Sequence, residues 1–417
     1  MKKVLSTLLL LIFLLLACGC WDRREINDLG LAIAGAYDLA EKEGEEPDIR
    51  LTLQIANSAA IFPSPGGAGG TGGKDSVKAF WTISEDGRTV RAASMKMNHK
   101  IPRHLFFGHA RVYVFGENVA RNGLVPLIGD RLMRSYETRE NVYVTVAKGE
   151  GKAVLEQETP VFRASGLALN DAFSLKGGTQ AILAMTMNDF IYRLNSKTIC
   201  AVAPAVEVSP QTSLTSEEKS ASATKNTIVI SGVGVFDRYG RLVDYFNERE
   251  TMGLMWVINK VKSREITVSC PVAGPDEPIS VGVFKSKSRI VVNMGEDGLP
   301  GFEIKVKTLC DIWEHFGSHA GMLSLKHIDD IEKEVNGQIT AEIDTTVRKA
   351  QLLNVDVFGF GEEVRRQRYK EWRRIKEQWQ EIFPEANVTV ECETLIRHRG
   401  LTVEAPGPHR REVEEGI

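Results

Sequence analysis

HIDDIEKEVNGQITAEIDTTVRKAQLLN, residues 327–354, decides the fold class. Its apolar residues, Ile328, Ile331, Val335, Ile339, Ile343 and Val347, recur at spacings of three and four. That is the pattern of one buried stripe on a long amphipathic helix. Asp329 and Asp330 near its start and Arg348 and Lys349 near its end complement the helix dipole. The chain before it reads differently. EITVSC (265–270), SVGVFKSKSRIVVNM (280–294) and GFEIKVKTLCDIWEH (301–315) alternate with period two and predict an antiparallel meander, with Lys285, Lys287 and Arg289 on one face. After it, VDVFGFG (355–361) predicts a turn at Gly359–Gly361. A second helix through residues 362–384 follows, with Val364, Trp372, Ile375, Trp379 and Ile382 as its apolar face. NVTVECETLIRHRG (387–400) closes as an alternating strand. A helix pair packed on a sheet is therefore expected at the C-terminal end.

Toward the N-terminus strands and helices alternate. Leu29–Tyr37 and Ile49–Ile55 predict an antiparallel pair, and residues 79–97 a strand, a turn at Asp86-Gly87 and a helix. Residues 109–116 and 141–147 read as strands, 117–135 as a short helix, 181–196 as a helix and 198–208 as a strand. TIVISGVGVFDRYGRLVDYF (227–246) predicts a hairpin, and residues 250–261 a helix. Between them Ser209–Asn226 is rich in Ser, Thr and charge, as expected of a linker, a domain boundary or a long hairpin excursion. The expected class is α+β: a multi-domain mixed α/β body with antiparallel sheets and a C-terminal helix pair. The expected divisions are 1–19, 20–208, 209–226, 227–400 and a tail at 401–417.

The first twenty residues are of another kind. Lys2 and Lys3 precede an apolar run, Val4–Ala17, too short to span a bilayer and suited to a signal peptide. LLLACGCWDRRE (14–25) then places Cys18 and Cys20 where apolar sequence becomes charged. A disulfide at i, i+2 would be strained, and no second ligand pair lies nearby for a metal. Two readings remain: lipidation of one of the two thiols, or an ordinary secretory signal with incidental cysteines. Both cysteines have a small residue at −1, so local sequence leaves the choice between them open.

Composition bounds the rest. The chain has 417 residues, 43% hydrophobic and 26% charged, with net charge −3. That is ordinary globular composition and argues against nucleic acid as a partner. PSPGGAGGTGGKD (63–75) is glycine-rich, but Lys74 is followed by Asp75, so it is not a phosphate loop. His315 and His319 are spaced i, i+4 without a metalloprotease frame, and Gly317 and Gly321 oppose a helix there, which leaves loop polarity as their reading. RRQRYKEWRRIKEQW (365–379) carries interspersed glutamates and reads as a solvated helix face, or one that faces anionic lipid headgroups. No nucleophile–base signature occurs, and no catalytic, cofactor or metal residue is expected.

GCWDRREINDLGLAIAGAYD (19–38), HLFFGHARVYVFGENVARNGLVPLIGDRLMRSYETRENVYVTVAKG (104–149), ISGVGVFDRYGRLVDY (230–245) and NVDVFGFGEEVRRQRYKEWRRIKEQWQEIFPEANVTVEC (354–392) together resemble the Ger(x)C family, the lipoprotein C subunits of spore nutrient-germinant receptors. The resemblance runs from about residue 18 to 400. It implies lipidation, by palmitate among other chains, of the cysteine before the Trp, here Cys20. It also implies a tether to the outer face of the cell membrane, which becomes the inner spore membrane of an endospore-former. The implied partners are polytopic A-type and B-type receptor subunits, and the implied role, in germination, is non-enzymatic. The alternative is an extracytoplasmic solute-binding lipoprotein, which a deep cleft would favour.

Overall fold

The computed structural model describes residues 28–41, 46–56, 80–157, 164–174, 182–210, 226–272, 274–316 and 325–398. The expected signal segment with Cys18 and Cys20, the glycine-rich 63–75 stretch, residues 211–225, His319 and the 401–417 tail lie outside them.

The first half is built on strands β1 (Leu29–Ala40), β2 (Asp48–Ala56) and β3 (Phe80–Gly87), helix α1 (Val90–Lys100), and strands β4 (His104–Phe106) and β5 (Val112–Phe115). Short helices α2 (Glu117–Arg121) and α3 (Val125–Met133) lead to β6 (Tyr143–Ala147). Then α4 (Gly151–Leu155), α5 (Ser165–Ser174) and α6 (Met187–Leu194) lead to β7 (Val202–Pro210), β8 (Asn226–Phe236) and β9 (Leu242–Phe246). These strands form one nine-stranded sheet in the order β3-β2-β1-β5-β6-β7-β8-β9, with β4 beside β1. Its centre is parallel, β1 to β5 to β6 to β7, and its two ends are antiparallel hairpin pairs. The parallel joins need the crossover helices that the sequence supplies. β5 is buried at every position because both faces are covered. Tyr113 and Phe115 enter the large core, and Val112 and Val114 enter a smaller one with Leu155, Leu169 and Phe173 of α4 and α5.

The sheet runs across the expected boundary: β7 and β8, on either side of residues 211–225, are antiparallel neighbours. Polar composition alone does not distinguish a linker from a long connection within one sheet.

Helix α7 (Glu248–Val257) starts at a capping box, Asn247 and Glu250 each bonding the other's backbone N–H. The second sheet contains β10 (Arg264–Cys270), β11 (Gly274–Met294), β12 (Pro300–His315) and, after the helices, β13 (Val388–His398), in that order. The meander β10-β11-β12 is antiparallel and β13 is parallel to β12, so both sheets are mixed rather than purely antiparallel. Helix α8 (Leu325–Leu352) crosses this sheet. All six apolar residues of its predicted stripe are buried.

The second C-terminal helix differs from expectation. It is broken into α9 (Phe360–Gln367), α10 (Tyr369–Ile375) and α11 (Trp379–Ile382), joined through a non-helical Arg368 and a 3-10 turn at Lys376–Gln378. Its five predicted apolar residues are nevertheless buried. Val364, Trp372 and Trp379 all reach one core despite the breaks. There Trp372 and Trp379 stack edge to face at 5.6 Å, and Trp379 meets Phe302 of β12. The helix expected over 181–196 is shorter too. Leu183 and Met185 precede α6 in extended backbone, with the N–H of Val144 bonded to the Met185 carbonyl. Among the described residues no helix is long and apolar enough to cross a membrane.

Candidate functional site

Between α6 and β7, residues 195–200 make a tight polar turn. Ser196 Oγ accepts from the N–H groups of Thr198 and Ile199. This turn is tied to the segment before α9. The Cys200 N–H donates to the Asp356 carbonyl at 2.8 Å, Thr198 Oγ1 to Glu362 at 3.2 Å, and Arg193 Nη1 to the Val357 carbonyl at 3.0 Å. A cleft of about 830 Å³ opens beside these ties, where the first half of the chain meets the C-terminal helices. Tyr192, Lys197 and Arg238 line it from one side, and Lys376, Trp372 and Trp379 from the other.

The cleft wall hangs on Asp356. The backbone turns left-handed at Asn354 (φ 53°) and Gly359 (φ 86°), so the buried Asp356 carboxyl faces the start of α9. It accepts from the N–H groups of Gly359 (2.8 Å), Phe360 (3.0 Å) and Gly361 (2.8 Å). These are donors that a helix start otherwise leaves unpaired. Burial pushes this carboxyl up to about 6, against the pull of those three donors and of Arg193. Burial likewise draws the Arg193 guanidinium down, with Asp356 opposing. Burial and the charge of Asp356 push the nearby Cys200 thiol up to about 12, so at neutral pH it is protonated and not a nucleophile. Cys310 and Cys392 are raised to about 11 and about 12 by burial.

Chemically, the cleft offers two indole rings, four basic side chains of which Arg365 and Lys376 are paired with Glu362 and Glu377, and one buried donor, Trp379 Nε1, that has no acceptor among the described residues. It suits a small ligand or a chain segment that carries an acceptor or carboxylate. Composition indicated none of this. Lys197, Arg238 and Lys376 are remote in sequence, and Asp356 reads as an ordinary loop acid. The one available signal was the Asp-Val-Phe-Gly-Phe-Gly block, where an Asp precedes a glycine-marked helix start.

The other singled-out residues fall elsewhere. Lys285, Lys287 and Arg289 are exposed on β11 as expected. Arg365 and Arg366 are exposed and paired with Glu362 and Glu363. His315 is not in a loop. It is the last residue of β12, with Nε2 3.7 Å from Glu277. The expected lipidation residue, Cys20, lies outside the described residues.

This two-sheet α+β architecture is that of the crystallised GerBC protein, which aligns with a TM-score of 0.53 at 20% identity over 88% of this chain and 98% of that one. Residues 22–208 match the family described as "Spore germination protein N-terminal domain", and residues 231–400 match "Spore germination B3/ GerAC like, C-terminal". The chain belongs to the Ger(x)C family of spore germination proteins. Among its relatives in Bacillus subtilis (strain 168), spore germination protein KC is 26% identical over 96% of this chain and 97% of its own length. Spore germination protein YndF is 27% identical over 94% and 96%. Spore germination protein B3 is 23% identical over 92% and 95%.

Proposed function

We propose that this chain is the lipid-anchored C subunit of a spore nutrient-germinant receptor. In this reading it is exported, lipidated at Cys20, and held on the outer face of the membrane that becomes the inner spore membrane. There it assembles with polytopic A-type and B-type subunits and carries out no turnover. The observation that carries the reading is likeness to spore germination proteins along nearly the whole chain, through both halves and in order. The tether supplies the physics. Confinement to a surface raises the effective concentration of the body near integral partners, so modest contacts suffice. The raised thiols agree with a role without covalent catalysis.

The test is affinity purification from detergent-solubilised spore membranes. Polytopic A-type and B-type subunits should co-purify with the parent chain. Cys20→Ala should abolish palmitate labelling and release the protein from membranes, whereas Cys18→Ala should leave both largely intact. Loss of label in the Cys18 variant alone would move the anchor to Cys18, and absence of both subunits would remove the receptor reading.

The cleft favours a second reading, a solute-binding lipoprotein. Its aromatic lining of Tyr192, Trp372 and Trp379 beside Lys197 and Arg238 suits a small carboxylate-bearing solute. Tight calorimetric binding of an amino acid by the purified chain without partners would establish that reading instead.

A further inference from the structure

We propose that Cys270, Glu277 and His315 form a binding site for a borderline divalent cation of the zinc type. A thiol sulfur, a carboxylate oxygen and an imidazole nitrogen from these residues lie within 4.8 Å of one another. Three strands deliver them: Cys270 ends β10, Glu277 lies early in β11, and His315 ends β12.

The backbone departs from regularity at this end of the sheet so that the three can meet. Along β12 the buried residues alternate from Pro300 and Phe302 through Ile304, Val306, Thr308 and Cys310 to Ile312, and continued alternation would turn His315 outward. The pairing instead shifts between Val281↔Ile312 and Ser280↔Glu314, leaving Trp313 as an extra residue. The bulge turns His315 to the face of its partner Ile279, which is fully buried, and the His315 side chain is 5% exposed. Re-aiming one side chain is what a bulge does. Gly282 permits it: a side chain there would collide with the Trp313 indole, which lies against the glycine. A second register shift, between Ser269 and Cys270, lies at the facing strand end. Cys270 is buried on the same core face as Ile266 and Val268.

The donor set fits the ion. Sulfur, nitrogen and oxygen are the zinc ligands, and three protein ligands leave a fourth position for water or an outside group. Bonds of about 2.0–2.3 Å to a tetrahedral ion separate its ligands by roughly 3.3–3.8 Å. The Glu277–His315 edge already measures 3.7 Å. The remaining edges, at most 4.8 Å, need to close by no more than about 1.5 Å, within reach of side-chain rotation. On binding, the Cys270 thiol gives its proton to solvent and ligates as thiolate. The bound ion ties the β10–β11 hairpin to the end of β12, a cross-link added to the sheet ladder and to the packing of α8 on these strands. The rival reading is a partly exposed carboxylate beside a buried imidazole and an inert thiol.

Cobalt(II) and zinc(II) distinguish the two. The full-length chain, with Cys18→Ser and Cys20→Ser to remove the leader thiols, is purified in detergent, stripped with chelator and titrated. The expected result is one cobalt per chain with a thiolate-to-cobalt charge-transfer band in the near ultraviolet. Zinc should displace cobalt and raise the melting temperature. Cys270→Ser should abolish the band, and Glu277→Gln and His315→Ala should each weaken binding at least tenfold. Cys392→Ser should bind as the parent does. Absence of the band in the parent, its survival in Cys270→Ser, or unaltered affinity in Glu277→Gln overturns the site. If the Cys270 variant fails to fold by circular dichroism, Glu277→Gln decides the matter, because that side chain reaches the surface and its loss does not open the core.

Discussion

Two glycine-to-alanine substitutions, one on each member of a packed helix pair, should change stability in opposite directions. Gly253 lies in α7 where it crosses α8. A Cβ built there meets the Thr346 hydroxyl at 2.1 Å and the Glu342 carbonyl oxygen at 2.3 Å. The second contact is backbone, so ordinary separation requires the helices to part by about 1 Å, an overpacking that costs about 1–3 kcal/mol. Parting also loosens the bonds that cross the interface. Thr346 donates to the Glu250 carbonyl at 3.0 Å, and Trp256 Nε1 to Glu342 at 2.8 Å. Weakening one such bond costs about a further 1 kcal/mol. Better helix propensity returns about 1 kcal/mol. The net expectation for Gly253→Ala is a loss of about 1–3 kcal/mol. Gly337 is exposed in the middle of α8 and a Cβ there meets nothing within 4 Å. Gly337→Ala keeps the propensity gain without the collision and should stabilise by about 0.5–1 kcal/mol. Urea unfolding followed by circular dichroism reads both as shifts of midpoint at constant slope. Equal signs, or a stabilised Gly253→Ala, would refute the close packing of α7 on α8.

Trp372→Ala or Trp379→Ala should cost about 3–5 kcal/mol and lower protein level and germination together, measured by immunoblot and nutrient-triggered germination. Charge reversal at Arg365, Arg366 or Arg373 should leave the urea midpoint nearly unchanged, since these side chains are exposed. Unfolding by the arginine reversals with intact tryptophan variants would invert the assignment of this face. Asp356 should make stability fall as pH rises. Its carboxyl is raised from 3.8 to about 6 in the folded chain, so the folded state keeps a proton that the unfolded state has released. The contribution is complete below pH 3.8 and lost by about pH 6, amounting to about 3 kcal/mol. Asp356→Asn should flatten that part of the profile relative to the parent, and an unchanged profile would show that this carboxyl does not titrate there.

Periodicity alone established the elements whose burial is decided locally. The stripe of α8, the meander β10–β12 and the hairpin β8–β9 were legible because a face buried against any apolar surface imposes its period on the sequence. The polar exposure of Arg365 and Lys285 followed for the same reason. Pairing across long separations left no such trace. Which strands are parallel, that β7 continues into β8, and that the second C-terminal helix breaks at Arg368 depend on what each element packs against. The cleft and the Cys270–Glu277–His315 cluster are further examples. Asp356 becomes a helix-start acceptor only once Asn354 and Gly359 turn the chain, and His315 faces Cys270 only because one extra residue at Trp313 reverses its side. A register shift of a single residue moves a side chain from one face of a sheet to the other, and it is set by the fit of facing strands rather than by any local run of residues.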